Sequence, residues 1–381
     1  MTHVKQSGPR SEDANNPYQQ FHTTFRRIFK VLRNDSRQYS PKFSEVMDAL
    51  IACSPNFRNM RELKIDSWDL PPTYNIQPLF KSFWSAFGSN LHHLSLGGNL
   101  EGYKSFIDTE PNLPSLIDLQ VEFTNNVFRV DQDVDAAILV DRVAPFINRL
   151  GHHIEFLKIW SWATLDLSDF FKRLSVFPRL EQLNVRMAFN LTLLQDASGL
   201  KSLLSASSDS LQRVNLRLNP SGWPLNPTRE EPLSQWLSSC LSDEKCFSQL
   251  HALDIYPTAI PASLDVLLAF IERSSNTLQD LVVRDRYLQQ SEARDVIDAA
   301  FKSPNLVSLR LNLLRLDIDL LDYLARKLPN LTQLWIAVTE EILGNREVGG
   351  LEVRIYLFLS SISVWKYLIP VPLYSLLFLR I

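Results

Sequence analysis

One short apolar pattern recurs along the chain and limits its fold more than any other feature. An apolar residue is followed three and five positions later by two more, and the pattern occurs ten times. The copies begin at Met60, Leu91, Leu116, Ile154, Leu180, Leu211, Leu250, Leu278, Leu306 and Leu331, at intervals of 25 to 39 residues. The last two apolar residues of each copy are two positions apart, as on one face of a strand. Each copy therefore predicts one short strand with one buried side.

The segments between the copies carry apolar residues at three- and four-residue steps, which is typical of amphipathic helices. The clearest examples are Val46 with Leu50, Phe170 with Leu174, Val266 with Phe270, and Val296 with Ala300. A strand followed by a helix, repeated at about this spacing, is the unit of a leucine-rich repeat. The predicted fold is therefore an α/β, right-handed leucine-rich-repeat solenoid, a horseshoe with parallel strands on its concave face and helices outside.

The chain divides into four predicted regions. Residues 1–17 are polar and lack the apolar segment of a secretory signal, so we expect a disordered N-terminus on a cytoplasmic or nuclear protein. Residues 18–59 predict a helical N-terminal cap, and residues 60–345 predict an irregular solenoid of about ten repeats. Residues 346–381 form an atypical apolar tail outside the pattern.

Composition and motifs narrow the classes of function. The net charge of -3 gives no overall positive field, which argues against nucleic acid as the partner. Cys53, Cys240 and Cys246 are too few and scattered for a disulfide framework or a zinc site, and the last two are expected to be small core residues. The sequence contains no nucleophile elbow, P-loop, dinucleotide fingerprint or zinc-protease motif. We expect a non-enzymatic protein without a metal or cofactor.

Two stretches depart from the regular repeat. Residues 125–134 are polar, with Asp131, Asp133 and Asp135 in and beside them, but they lack the glycine and terminal glutamate of an EF-hand calcium loop. They predict a solvated acidic loop. Residues 218–232 contain four prolines, one glycine and one tryptophan, and they predict an ordered surface loop inserted between two repeats.

The chain resembles leucine-rich-repeat proteins of the ribonuclease-inhibitor-like kind, through phrases such as LEQLNV from Leu180 and LTQLWI from Leu331. Its irregular spacing resembles the repeat regions of fungal F-box proteins over about residues 43–338. The resemblance implies a substrate-recognition component linked to ubiquitin-dependent turnover, with ubiquitin-ligase components as partners. It does not extend to an F-box, which is not found. Of the asparagines that regular repeats place three residues after the pattern, only Asn99 and Asn219 are kept.

The variable positions of the pattern should line the concave face, where solenoids bind their partners. The N-terminal repeats supply mainly acidic and polar residues, whereas the later repeats supply arginines interleaved with aromatic residues. These candidate binding residues are Trp160, Arg186, Arg213, Arg217, Tyr256, Arg284, Arg310 and Trp335. Arginine and aromatic side chains most often dominate binding energy at interfaces. The sequence therefore predicts a surface for an acidic protein segment, and the alternative is a solvated face with no partner.

The apolar tail that begins at Ile355 and ends at Ile381 leaves three interpretations open. It is long enough to span a bilayer, which would make the protein a membrane-attached scaffold. Lys366 near its middle opposes this, because a central lysine costs roughly 2.5 to 3.5 kcal/mol on insertion. The second interpretation is a buried segment that caps the last repeat, since solenoids need capped ends. The third is a reading-frame extension that replaces further repeats.

Overall fold

A computed structural model of the chain describes residues 43–66, 74–125, 132–190, 192–219, 227–339 and 352–358. Within these residues, eleven strands form one sheet in their order along the chain. They are β1 (Glu62–Asp66), β2 (His93–Asn99), β3 (Asp118–Thr124), β4 (Phe156–Ser161), β5 (Gln182–Ala188), β6 (Arg213–Asn219), β7 (Ala252–Ile255), β8 (Asp280–Leu288), β9 (Ser308–Leu313), β10 (Gln333–Thr339) and β11 (Glu352–Phe358). Strands β1 to β10 are parallel to their neighbours, and β11 is antiparallel to β10.

Helices precede β1 and connect successive strands. They are α1 (Phe43–Cys53), α2 (Gln77–Phe87), α3 (Leu100–Ile107), α4 (Gln132–Ile138), α5 (Ala144–Leu150), α6 (Ser168–Arg173), α7 (Ser198–Ala206), α8 (Pro227–Leu241), α9 (Ser263–Arg273), α10 (Gln290–Phe301) and α11 (Ile318–Lys327). A π-helical turn, Leu139–Val143, joins α4 to α5, and the short 3-10 helix Ser54–Phe57 follows α1. The four helical segments predicted from apolar spacing are confirmed at α1, α6, α9 and α10.

The middle apolar residue of every predicted pattern occupies the same register position in the sheet. These residues are Leu63, Leu94, Leu119, Leu157, Leu183, Val214, Leu253, Leu281, Leu309 and Leu334, and each is the Cα partner of the next. From β2 onward none of them is more than 2% exposed. Burying one such side chain stabilises by roughly 1.5 to 3 kcal/mol, so this row forms a continuous core. The predicted α/β leucine-rich-repeat solenoid is confirmed.

Backbone hydrogen bonds tie each repeat to the next just before the strands begin. The carbonyl of Arg61 accepts from the N–H groups of His92 and His93, at 2.8 and 2.9 Å. The same shared acceptor recurs further along, where the carbonyl of Val307 accepts from Thr332 and Gln333 at 2.9 and 3.0 Å. Buried backbone groups must be paired, so each repeat is incomplete without its neighbour.

Aromatic side chains add a second connection between repeats on the helix side of the sheet. The ring of Phe106 in α3 makes edge contacts with Phe80 of α2 and with Phe146 of α5, both at 5.3 Å between centroids. Edge-to-face pairs at this separation stabilise the fold by more than the burial of their apolar area alone. All three rings are nearly inaccessible to solvent, so three consecutive repeats share one aromatic core.

The structure corrects part of each prediction made for the irregular stretches. Residues 126–131 of the predicted acidic loop lie outside the described residues, but from Gln132 onward the chain forms α4, and Asp135 in its first turn is only 5% exposed. Carboxylates near a helix N-terminus are favoured by the helix dipole, which explains why acidic residues belong to a helix here. Within the predicted proline-rich loop, residues 227–232 instead begin α8, which buries Leu233 and Leu237 on one side. Residues 220–226 lie outside the described residues.

The sheet continues beyond the range predicted for the solenoid. Strand β11 pairs with β10 over seven residues, and this pairing covers an edge that β10 would otherwise expose. Residues 355–358, the first four of the apolar tail, belong to this strand. Within the described residues, no helix is long and apolar enough to cross a membrane. Residues 359–381 lie outside them, as do residues 1–42, where the disordered N-terminus and part of the helical cap were predicted.

Candidate binding surface

The side of the sheet opposite the core is formed by the residues that alternate with the buried rows in β1 to β10. We call this surface the open face; it corresponds to the predicted concave side. One row across it consists of Lys64, Ser95, Gln120, Lys158, Asn184, Asn215, Asp254, Val282, Arg310 and Trp335. A second row, two residues further along each strand, begins with Asp66, Gly97, Glu122, Trp160, Arg186 and Arg217. Any partner that crosses the strands meets these side chains in this order.

At the acidic N-terminal end of the open face, two carboxylates contact nitrogen atoms of neighbouring side chains. Lys64 Nζ lies 3.3 Å from Asp66 Oδ2 within β1. His93 Nδ1 lies 3.2 Å from Asp118 Oδ2, between β2 and β3. Both carboxylates therefore already have a polar contact within the protein.

Aromatic and cationic side chains are stacked together across β4 and β5. Lys158 Nζ lies over the Trp160 ring at 3.5 Å from the centroid. The guanidinium carbon of Arg186 lies over both Trp160, at 5.0 Å, and Trp162, at 4.4 Å. Cation–π contacts of this kind stabilise by about 0.5 to 2 kcal/mol each, depending on solvent exposure. We call these four residues the stacked cluster.

Trp162 is the member of the stacked cluster that sequence reasoning missed. It lies one residue beyond β4 and therefore outside the repeated pattern, yet its side chain is 49% exposed beside Trp160. A signal was present in the sequence, because residues two apart on an extended segment share a face and both are tryptophan. The backbone N–H of Trp162 donates to the Phe123 carbonyl at 2.8 Å, which continues the strand pairing past the end of β4.

Arg217 lies directly beside Arg186, since the two are Cα partners between β5 and β6. Within the described residues, neither arginine forms an ion pair or donates a side-chain hydrogen bond. Burial lowers the pKa of Arg217, and the nearby positive charges of Arg284 and Arg186 lower it further, whereas the charges of Asp285 and Asp254 oppose this shift. The pair therefore places two positive charges side by side, and neither forms an ion pair in the described residues.

Arg284 was predicted to face a partner, but its charge is already neutralised. Its Nε donates to Asp254 Oδ1 at 2.6 Å, and its Nη2 contacts the other oxygen of the same carboxylate. The Arg284 and Asp254 side chains are only 16% and 15% exposed. Asn215 Nδ2 also donates to this carboxylate, at 2.9 Å. Arg284 is thus an internal support of the open face rather than a free contact.

Tyr256 was predicted on the binding face, but its side chain is buried, with 2% exposure. Pro257 follows it and has no N–H to donate, so strand pairing stops, and Thr258 turns the chain with a φ of 77°. The Tyr256 hydroxyl then donates to Glu230 Oε1 at 3.0 Å. Burial is the largest cause of its raised pKa, followed by the Glu230 charge. Tyr256 cannot contact a partner from this position.

The remaining predicted residues fall into two places. Arg213 in β6 is exposed and lies 3.8 Å from Asp280, a surface ion pair that contributes little. Arg310 lies over the Trp335 ring at 5.6 Å, between β9 and β10. The structure therefore brings Trp160, Arg186 and Arg217 together in adjacent strands, and it separates the Arg310–Trp335 pair from them by two strands.

The described residues include no group of three or more His, Cys, Asp or Glu side chains that could hold a metal ion. Cys240 and Cys246 are both buried free thiols, which confirms the prediction that they are core residues. Contact with Cys246 and burial raise the pKa of the Cys240 thiol far above its usual range. Such a thiol is protonated and a poor nucleophile.

The chain matches no protein-family model and no curated protein. Among solved structures, it is similar to the leucine-rich repeat-containing protein LegL7 from Legionella pneumophila, with 16% identity and a TM-score of 0.44 over 80% of this chain and 89% of that one. A Bacteroides fragilis protein shows 10% identity and a TM-score of 0.41, over 89% and 87% of the two chains. TLR13 in its complex with ssRNA13 shows 14% identity and a TM-score of 0.37, over 73% of this chain and 36% of that one.

Proposed function

We propose that the open face around Arg186 and Arg217 recognises an acidic segment of another protein. The observation that carries the proposal is the placement of two arginines as direct partners on adjacent strands, without an acidic partner in the described residues. Like charges placed directly opposite each other in a sheet are unfavourable. A carboxylate of a bound segment would remove this repulsion, so binding and relief of repulsion reinforce each other.

The surroundings of the two arginines favour a protein ligand. Trp160 and Trp162 supply aromatic area beside the charge, and arginine and tryptophan are both enriched at binding hot spots. Both arginines are partly buried, so the attraction to a carboxylate is screened less than it would be in bulk water. We expect affinity for an acidic segment to fall as ionic strength rises.

The proposal is tested by selecting binders from a phage-displayed peptide library with the purified full chain. We expect enrichment of Asp and Glu, and loss of capture by the Arg217→Glu variant. Arg326→Glu is a matched control, because Arg326 is an exposed arginine on α11, away from the open face. Thermal midpoints of both variants establish that each is folded. Selection without acidic enrichment, or unchanged capture by Arg217→Glu, would contradict the proposal.

Resemblance to fungal F-box repeat proteins supports a narrower proposal, that the captured protein is a substrate of ubiquitin-dependent turnover. Affinity purification of the tagged full chain, followed by mass spectrometry, should then recover ubiquitin-ligase subunits. Their absence would contradict the link to turnover and would leave the recognition surface unaffected. The two experiments therefore test the biological role of the partner and the binding chemistry of the open face separately.

A further inference from the structure

The Arg186 guanidinium is stacked in a way that leaves its donors available. Its carbon lies over the rings of Trp160 and Trp162, at 5.0 and 4.4 Å from their centroids. A cation–π contact is made through the charge of the guanidinium and leaves its five N–H donors available for hydrogen bonds. Among the described residues, no acceptor receives a hydrogen bond from these donors.

The rings that hold Arg186 are themselves fixed in position. Trp162 Nε1 donates to Glu122 Oε1 at 2.7 Å. Trp160 Nε1 donates to Asn184 Oδ1 at 3.3 Å, on the strand that carries Arg186. Because the supporting side chains are already ordered, less conformational entropy is lost when a ligand binds. Arg217 makes no cation–π contact within the described residues, so it adds charge at the site without a comparable constraint on its orientation.

We propose that Arg186 binds one carboxylate of the acidic segment through two parallel N–H···O bonds, and that Trp162 contacts an apolar residue next to it. This inference rests on the proposed function and specifies the contacts by which the same surface binds its ligand. A planar carboxylate matches two donors of the guanidinium fork, and such bidentate pairs add directional specificity to the attraction between charges. The 49% exposure of Trp162 leaves ring surface for the apolar neighbour.

The test distinguishes the contribution of the Arg186 charge to affinity from the contribution of its planar guanidinium geometry. Synthetic copies of the peptides selected by the full chain are titrated against wild type, Arg186→Lys and Arg186→Gln. Lysine keeps the charge and loses the planar fork, so we expect it to bind about tenfold or more weakly than wild type, close to glutamine. Arg326→Lys is the matched control, because Arg326 is exposed on α11 away from the open face, and it should retain wild-type affinity. Thermal midpoints of all variants establish that each is folded.

Changes in the peptide complete the test. Replacing the critical Glu by Gln should reduce affinity about as much as Arg186→Gln, and Trp162→Leu should weaken peptides with an apolar neighbour more than peptides without one. Wild-type affinity in Arg186→Lys would overturn the bidentate geometry while leaving acidic recognition intact. Tighter binding of a phosphoserine peptide than of the Glu peptide would overturn the assignment of a carboxylate. Failure of the library to yield acidic peptides would instead contradict the proposed function itself.

Discussion

At the scale of single residues, Gly199 shows how closely neighbouring repeats approach. It is the second residue of α7, and a Cβ added there would lie 2.4 Å from the Lys172 nitrogen and 2.6 Å from the Phe171 carbonyl carbon. Both atoms belong to the backbone of α6, so they cannot move aside as a flexible side chain could. Glycine is required here by space rather than by an unusual φ.

We therefore predict that Gly199→Ala destabilises the protein, although alanine is the better helix former. Overpacking costs typically 1 to 3 kcal/mol, and contact with backbone favours the upper end, about 3 kcal/mol. Urea unfolding followed by circular dichroism should show a lower midpoint. Ser202→Ala, an exposed position in the same helix, is the control and should leave the midpoint unchanged or raise it. An unaltered midpoint in Gly199→Ala would mean that α6 and α7 are not packed this closely.

At the scale of elements, one arginine of α9 organises the segment that follows α8. Arg273 donates to the carbonyls of Leu241, Asp243 and Cys246, at 2.6, 2.7 and 2.9 Å. Carbonyls at a helix C-terminus lack partners within the helix, and a cation there also complements the helix dipole. The contact fixes the irregular connection between α8 and β7, at the end of the longest interval between two patterns.

Arg273→Met should lower the free energy of unfolding by about 3 kcal/mol, because three acceptors lose a charged donor together. Proteolysis at the segment after α8 should become faster, which a protease digest with mass spectrometry would detect. Lys302→Met offers a comparison, since the Lys302–Glu272 ion pair is exposed and should contribute little. Equal effects of the two substitutions would contradict the organising role of Arg273.

At the scale of the whole molecule, the stability of each repeat depends on its neighbours. Every parallel strand shares its buried row and its backbone pairing with two neighbours, apart from β1 at the N-terminal edge. In such an array, the interfaces between repeats contribute as much as the repeats themselves. The midpoint of the array, near β5, is where a local defect has the most neighbours to affect.

Leu183→Ala in β5 is predicted to loosen the repeats on both sides. The buried side chain is 0% exposed, and truncating such a leucine costs about 2 to 5 kcal/mol. Hydrogen exchange should show faster exchange in β4 and β6 as well as in β5, with the effect diminishing toward β1 and β10. Faster exchange confined to β5 would show instead that repeats unfold independently.

Much of the fold could be predicted from the sequence, and the candidate site only in part. The ten apolar patterns predicted ten strands in the observed register. The pattern also placed Arg186, Arg217 and Trp160 on the correct face. It misplaced Tyr256, whose strand ends early, and it omitted Trp162, which lies beyond the repeated positions.

The sequence by itself determined the strands and their buried side, because a period of two decides which side chains face the core and a shift by one residue would expose all of them. Only the tertiary structure decided which of the predicted arginines form ion pairs within the described residues and which do not. Arg284 is neutralised by Asp254 from the preceding repeat, 30 residues away, whereas Arg186 meets Arg217 and two tryptophans. Charge pairing acts across strands between residues distant in the chain, so a local pattern could assign each arginine to a face but not to a partner.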